Sequence, residues 1–206
     1  MEMENDVVLS AAPDVEPIDN RVAVLILQHP QEQDKELGTA QLVTRLLKNA
    51  RLRIGLSWPS LSKALGREAD PKRWAVLYLG SIAGKDFPPG ETVVAFDKKG
   101  EPLPDQKSAL AGIDGVVVLD GSWAQAKTLW WRNAWVLKAR RIALRPQRRS
   151  LYGDLRREPR REGLSTLESV AMLLARLERK PEMETALLDE FGRALSRYRE
   201  RKPAGK

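Results

Sequence analysis

The chain has 206 residues, 42% of them apolar and 31% charged, with a formal net charge of +7; that is enough for one domain with a proper core and a heavily solvated surface. It contains no cysteine and a single histidine, His29, which excludes disulfides, thiolate sites and an ordinary structural zinc site, so no metal is expected. No apolar run approaches the roughly 20 residues of a membrane span, and no secretory leader is evident, so the expectation is a cytoplasmic protein with no membrane partner.

Residues 1–20 carry six acids and no base, include Pro13 and Pro17, and lack apolar periodicity; they predict a flexible acidic tail. Arg21–Leu27 is short, apolar and β-branched, which predicts a buried strand. A polar loop over His29–Gly38 leads to a helix over Thr39–Leu47 with Thr39 as its N-cap. Arg51–Leu56, Trp74–Leu79 and Thr92–Phe96 predict further strands, the last inside a segment, 84–105, rich in Gly, Pro and Lys.

Val116–Leu119 is another continuous apolar strand and runs into Asp120-Gly121-Ser122, after which Ser122–Trp135 reads as helix. Arg141–Leu144 predicts a last short strand, and Arg145–Gly163 an arginine-rich loop. Ser165 and Glu168 form an S-x-x-E capping box that starts a helix to Arg179. A charged helix over Glu182–Arg201 follows Pro181. The expected division is a tail at 1–20, a catalytic domain at 21–180, and a charged C-terminal helix and tail at 181–206. Short buried strands alternating with helices imply a mainly parallel α/β sheet with helices on both faces. Such sheets bind ligands at the carboxyl ends of their strands. Three of those ends are polar or small: Gln28-His29, Gly80-Ser81 and Asp120-Gly121-Ser122.

Each candidate has a functional and a structural reading. Gly121 permits a close backbone approach to a ligand, the helix starting at Ser122 offers free amides to a carboxylate, and Asp120 could hold an ammonium or face a sulfonium. The same residues also suit an ordinary strand–turn–helix junction, with Ser122 as N-cap, Gln125 as its partner and Trp123 in the core. His29 and Glu32 could meet ligand or RNA, or serve only the local turn. A cap accounts for Ser165 and Glu168, although a capped helix start still presents amides.

Residues 140–161 hold nine arginines (140, 141, 145, 148, 149, 156, 157, 160 and 161) against Asp154 and Glu158. Guanidinium forks suit phosphate oxygens and stack on bases, so this segment points to RNA contact. Trp130, Trp131 and Trp135 cannot share one helix face, so at least one is exposed and could stack a splayed base, while the others suit the core.

Four segments in this order resemble the DTW-domain family: H-P-x-E at His29–Glu32, L-D-G-S-W at Leu119–Trp123, S-x-Y-x-x-x-R-R at Ser150–Arg157, and L-S-T-L-E at Leu164–Glu168. The likeness spans roughly residues 21–178. Ser122 stands where the family usually has threonine, and Tyr78–Ala83 is similar to a further family segment, with Leu79 where proline is common. The N-terminal cysteine cluster of many relatives is absent here.

The resemblance implies a fold related to the SPOUT methyltransferases, with a C-terminal trefoil knot. It also implies an activity: transfer of the 3-amino-3-carboxypropyl group of S-adenosylmethionine to N3 of a tRNA uridine, with the variable loop as the family expectation. By position, the cofactor would lie against Leu79, Gly80, Ser81, Leu119, Asp120, Gly121, Leu164, Ser165, Thr166 and Glu168. Asp120, Ser122 and Trp123 are the catalytic candidates, with Asp120 favoured as the residue that orients the cofactor. His29, Glu32, Arg145, Arg148, Arg149, Arg156 and Arg157 are the RNA-binding candidates. No obligate protein partner is expected, and either a monomer or a homodimer fits. A SPOUT-like RNA methyltransferase and a non-catalytic RNA-binding protein remain the alternatives.

Overall fold

An apolar run with no polar alternation belongs in the interior of a parallel sheet, where helices cover both faces. The computed structural model, which describes residues 15–77, 87–155 and 163–201, puts the first such run there. Strand β1 (Ala23–Gln28) is buried at every position and lies between β2 (Ala50–Ile54) and β5 (Gly115–Asp120), parallel to both. Strand β3 (Trp74–Leu77) continues the sheet on the far side of β5, followed by β6 (Arg140–Leu144) and then β4 (Val93–Phe96). The six strands run β2-β1-β5-β3-β6-β4, all parallel except β4, which pairs antiparallel with β6.

Alternate residues of β1 serve opposite faces. Val24 and Ile26 pack with α1 (Ala40–Leu46), α3 (Gln106–Ala111), α5 (Thr166–Glu178) and α6 (Pro181–Arg201). Ala23, Leu25 and Leu27 pack on the other side with α2 (Leu61–Leu65) and α4 (Trp123–Arg132). The expected α/β architecture, mainly parallel with helices on both faces, is therefore the one observed. Among the described residues no helix is long and apolar enough to cross a membrane.

The differences from expectation have local causes. Strand β2 lies at the sheet edge, so Arg51 and Arg53 are exposed, Arg51 donating to the Leu65 carbonyl at 2.8 Å, and the strand ends at Ile54 rather than Leu56. Helix α4 stops at Arg132 rather than continuing to Trp135. The fully buried Asn133 donates from Nδ2 to the carbonyls of Leu129 (2.8 Å) and Leu56 (3.0 Å), and its Oδ1 accepts from the amide of Trp58 (2.8 Å). That side chain fastens the 56–58 loop to the helix end, and Ala134–Lys138 continues as a 3-10 turn. Helices α2 and α3, five and six residues long, are too short to show a periodicity in sequence.

The chain on either side of residues 21–180 also packs on this sheet. Residues 18–20 were expected in the tail, but Ile18 pairs with the chain after α1 and the buried Asn20 bonds Val22 and Asn49. Helix α6 begins with Pro181 at its first position and buries Leu187, Phe191, Ala194 and Leu195 in the same core as α5.

Candidate active site

The strand ends that carry polar residues meet because β1 and β5 are adjacent and in register. Gln28 pairs with Asp120 across the ladder, so the two side chains leave the sheet together. Gln28 Nε2 donates to Asp120 Oδ2 at 2.8 Å, and the amide of His29 donates to the Asp120 carbonyl at 3.0 Å. The other carboxylate oxygen, Oδ1, accepts from the hydroxyl of Thr166 at the first turn of α5. Asp120 is thus gripped from two sides, which fixes the direction in which its charge points.

Around it lies a cavity of about 130 Å³. Its walls come from the ends of β3 and β5 (Leu77, Val118, Leu119, Asp120, Gly121), from the start of α5 (Leu164, Ser165, Thr166, Ser169), and from Glu32, Gly38 and Thr39. Two acids and no base line it. Of the expected cofactor residues, Leu119, Asp120, Gly121, Leu164, Ser165 and Thr166 converge here, whereas Leu79, Gly80 and Ser81 lie outside the described residues.

Gly121 is required by space. A Cβ at this position would sit 2.8 Å from Cβ of Gln125 and 3.1 Å from its Oε1. Gln125 cannot readily retreat, because its Oε1 accepts from the Ser122 amide at 2.6 Å while Ser122 Oγ accepts from the Gln125 amide. The junction is therefore a capping box, and Ser122 is its N-cap. Gln125 also donates to Gln31 Oε1 at 3.1 Å, joining the box to the loop after β1. Trp123, expected either as a catalytic residue or in the core, is 50% exposed at the first helical position beside the cavity.

His29 caps a 3-10 turn over Pro30–Glu32, its Nδ1 accepting from the Gln31 amide. The turn carries Glu32 inward. Glu32, an RNA-binding candidate in the sequence, is only 5% exposed and lines the cavity, with Lys35 Nζ 2.8 Å from Oε1.

Glu168 is fully buried and does not line the cavity. Its carboxylate accepts from the Ser165 amide (2.8 Å), the Leu151 amide (2.8 Å), Ser150 Oγ (2.7 Å) and Arg148 Nη1 (3.2 Å). It holds the 148–151 loop against the start of α5. Tyr152 completes the join: its hydroxyl donates to the Leu37 carbonyl, and its ring meets Phe191 edge-on at 5.2 Å. Of the arginines, Arg145, Arg148 and Arg149 are exposed. Arg140 and Arg141 are half-buried and donate to the carbonyls of Ala109 and Lys98. Arg156, Arg157, Arg160 and Arg161 lie outside the described residues.

Sequence reasoning missed Gly38, Thr39 and Ser169 as cavity walls. Thr39 was expected to cap α1 but makes no such bond; its hydroxyl accepts from the Leu167 amide at 3.1 Å, fastening the first turn of α5 to the cavity rim. Gln28 was visible as a polar strand end, although its bond to Asp120 depends on strand order. Among the described residues no group of three or more His, Asp or Glu side chains is placed to hold a metal ion.

Comparison with known proteins gives a family match. The DTW domain profile covers residues 4–199. Three curated relatives are each named tRNA-uridine aminocarboxypropyltransferase 2. The Drosophila melanogaster protein is 29% identical over 80% of this chain and 60% of its own length. The Mus musculus protein is 25% identical over 84% of this chain and 54% of its own. The Macaca fascicularis protein is 24% identical over 84% of this chain and 53% of its own. The chain thus spans little more than half the length of these relatives. No solved structure matches it.

Proposed function

Because the chain belongs to the DTW domain family, we propose that it transfers the 3-amino-3-carboxypropyl group of S-adenosylmethionine to N3 of a uridine in tRNA. The observation that carries this reading is the acidic cavity at the strand ends, with Asp120 clamped between Gln28 and Thr166. The names of the relatives support the reaction class.

The residues present suit such a donor. A ligand carrying a sulfonium and an ammonium meets the Asp120 carboxylate in the cavity wall, with Glu32, itself paired to Lys35, as a second acid there. Its own carboxylate can take the amides at the starts of α4 and α5, where Ser122 and Ser165 open the helices. When bound, S-adenosylmethionine would supply an electrophilic methylene next to its sulfonium; the carbon–sulfur bond would break as the bond to uridine N3 forms, neutral 5′-methylthioadenosine would leave, and the N3 proton would pass to water.

The protein's task is posture. The sulfonium carries three carbons open to attack, so the site must present the methylene, and not the methyl, to uridine N3. Held from two sides, Asp120 orients the ammonium, and through it the chain to be transferred. Such alignment is worth several orders of magnitude in rate. In this reading Trp123, exposed beside the cavity, meets the uridine, and the exposed Arg145 and Arg149 take RNA phosphate, while Arg148 is engaged by Glu168. In this reading the loops at 119–122 and 164–166 belong to a SPOUT-type knotted cofactor site, and residues 21–180 form the catalytic unit.

The test is incubation with labelled S-adenosylmethionine and unmodified tRNA, followed by nucleoside mass analysis. The expected product is 3-(3-amino-3-carboxypropyl)uridine; a methylated nucleoside would refute the assignment. Asp120→Ala should abolish the product and leave the fold cooperative, since only two side-chain bonds are lost. Full activity in that variant would remove Asp120 from the site.

A further inference from the structure

Helix α4 begins at the candidate site and leads away from it. Trp123, Lys127 and Trp131 are spaced i, i+4, i+8, within about 80° of arc on the helix, and all three are exposed. Trp131 is 68% exposed, the most of any large hydrophobic side chain among the described residues, and Trp123 follows at 50%. Trp130, about 100° round the helix from Trp131, is buried, and so is Trp135 in the turn after it. The core therefore takes two of these rings and leaves Trp131 to solvent, although an indole carries a large cost for staying wet.

The charge around this face is one-sided. Along α4 and the turn after it, residues 123–141, the chain has no acid and five bases (Lys127, Arg132, Lys138, Arg140 and Arg141). At the C-terminal end of α4, Arg141 lies 5.8 Å from the ring centroid of Trp130 and also lines a cleft of about 390 Å³. Lys72, Lys98, Lys138 and Arg140 share that cleft, and Asp97 is its one acid. An apolar protein partner would gain little from such a surround. A polyanion with flat, stackable rings matches both the charge and the exposed indole.

We infer that the exposed face of α4 is a track for unpaired RNA, with a base stacked on Trp131 and the adjoining phosphate taken by Lys127. This rests on the proposed tRNA substrate and extends it: RNA is gripped along the helix as well as at the cavity. The two indoles stand about 12 Å apart along the axis, eight residues at 1.5 Å each, so they take separate bases.

The test compares wild type with Trp131→Ala, Trp131→Phe and Lys127→Ala, using affinity for unmodified tRNA at several salt concentrations together with kcat and KM for nucleoside modification. Trp131→Ala should lose at least about fivefold in affinity, the lower end of what one stacked base contributes, with an unchanged salt slope. Its KM for tRNA should rise in step while kcat at saturation holds. Phenylalanine should restore most of the affinity, and Lys127→Ala should lower the salt slope by about one. Trp131→Ala binding within twofold of wild type overturns the inference while leaving the proposed activity intact. So does a variant that changes oligomeric state in sedimentation with tRNA affinity unchanged, which would make this face a protein interface. Wild type with no affinity for tRNA would sink both readings.

Discussion

Replacing Glu168 with alanine asks whether this carboxylate serves the ligand or the fold. In the structure it is fully buried and accepts four hydrogen bonds. Removing it strands these donors unequally. Arg148 is 36% exposed at its side chain and can turn to water, so its share is at most about 1 kcal/mol. Ser150 and the Leu151 amide lie nearer the surface and lose roughly a net hydrogen bond each, about 0.5–1.5 kcal/mol. The Ser165 amide is buried, and leaving it unmatched costs about 1–3 kcal/mol. Together these come to about 2–7 kcal/mol, centred near 4, which brackets the cost of breaking a buried charged pair. In urea, with a slope of about 2 kcal/mol/M, the unfolding midpoint should fall by about 2 M. Glu168→Gln keeps one acceptor oxygen and should lose about half as much. If alanine costs less than about 1 kcal/mol while affinity for S-adenosylmethionine collapses, Glu168 is a ligand residue and the structural reasoning fails.

Other consequences can be checked with the same preparations. Gly121→Ala places a methyl 2.8 Å from Gln125 Cβ, so the α4 capping box must open; we expect a loss of about 1–3 kcal/mol in thermal unfolding and weaker S-adenosylmethionine binding by calorimetry. An unchanged melting temperature would show that the turn has slack. Far from the site, the Arg73 guanidinium grips Asp114 and, with Arg21 and Arg67 nearby, holds its carboxyl below the usual aspartate range. A depressed folded-state pKa stabilises above the unfolded value and is lost as pH falls through the folded one. The Asp114 contribution should therefore be complete above about pH 4 and fade below it, small because the pair is exposed. Asp114→Asn should flatten that part of the stability–pH curve, and 1 M salt should do much the same.

The sequence by itself determined the six strands to within a few residues, most sharply β1 and β5, because buried parallel strands are apolar throughout and end where polar residues begin. It also placed Asp120-Gly121-Ser122 at a strand end, and the capping boxes at Ser122 and Ser165 follow from pairs three residues apart. Local rules suffice for such features. It could not tell that Trp131, among three neighbouring tryptophans, is the exposed one, although it required that one be. Strand order was equally out of reach. That β1 and β5 are neighbours, so that Gln28 meets Asp120, is a contact between residues 92 apart in the chain. The same holds for Thr166 on Asp120, Thr39 on Leu167 and Tyr152 on Leu37, each bridging 46 residues or more. Hydrogen bonds of this kind leave no periodic trace, since either partner alone reads as a cap or a loop. The physical reason is that a parallel sheet joins distant segments by crossovers, so which polar ends share a cavity is settled only when the strands take their places.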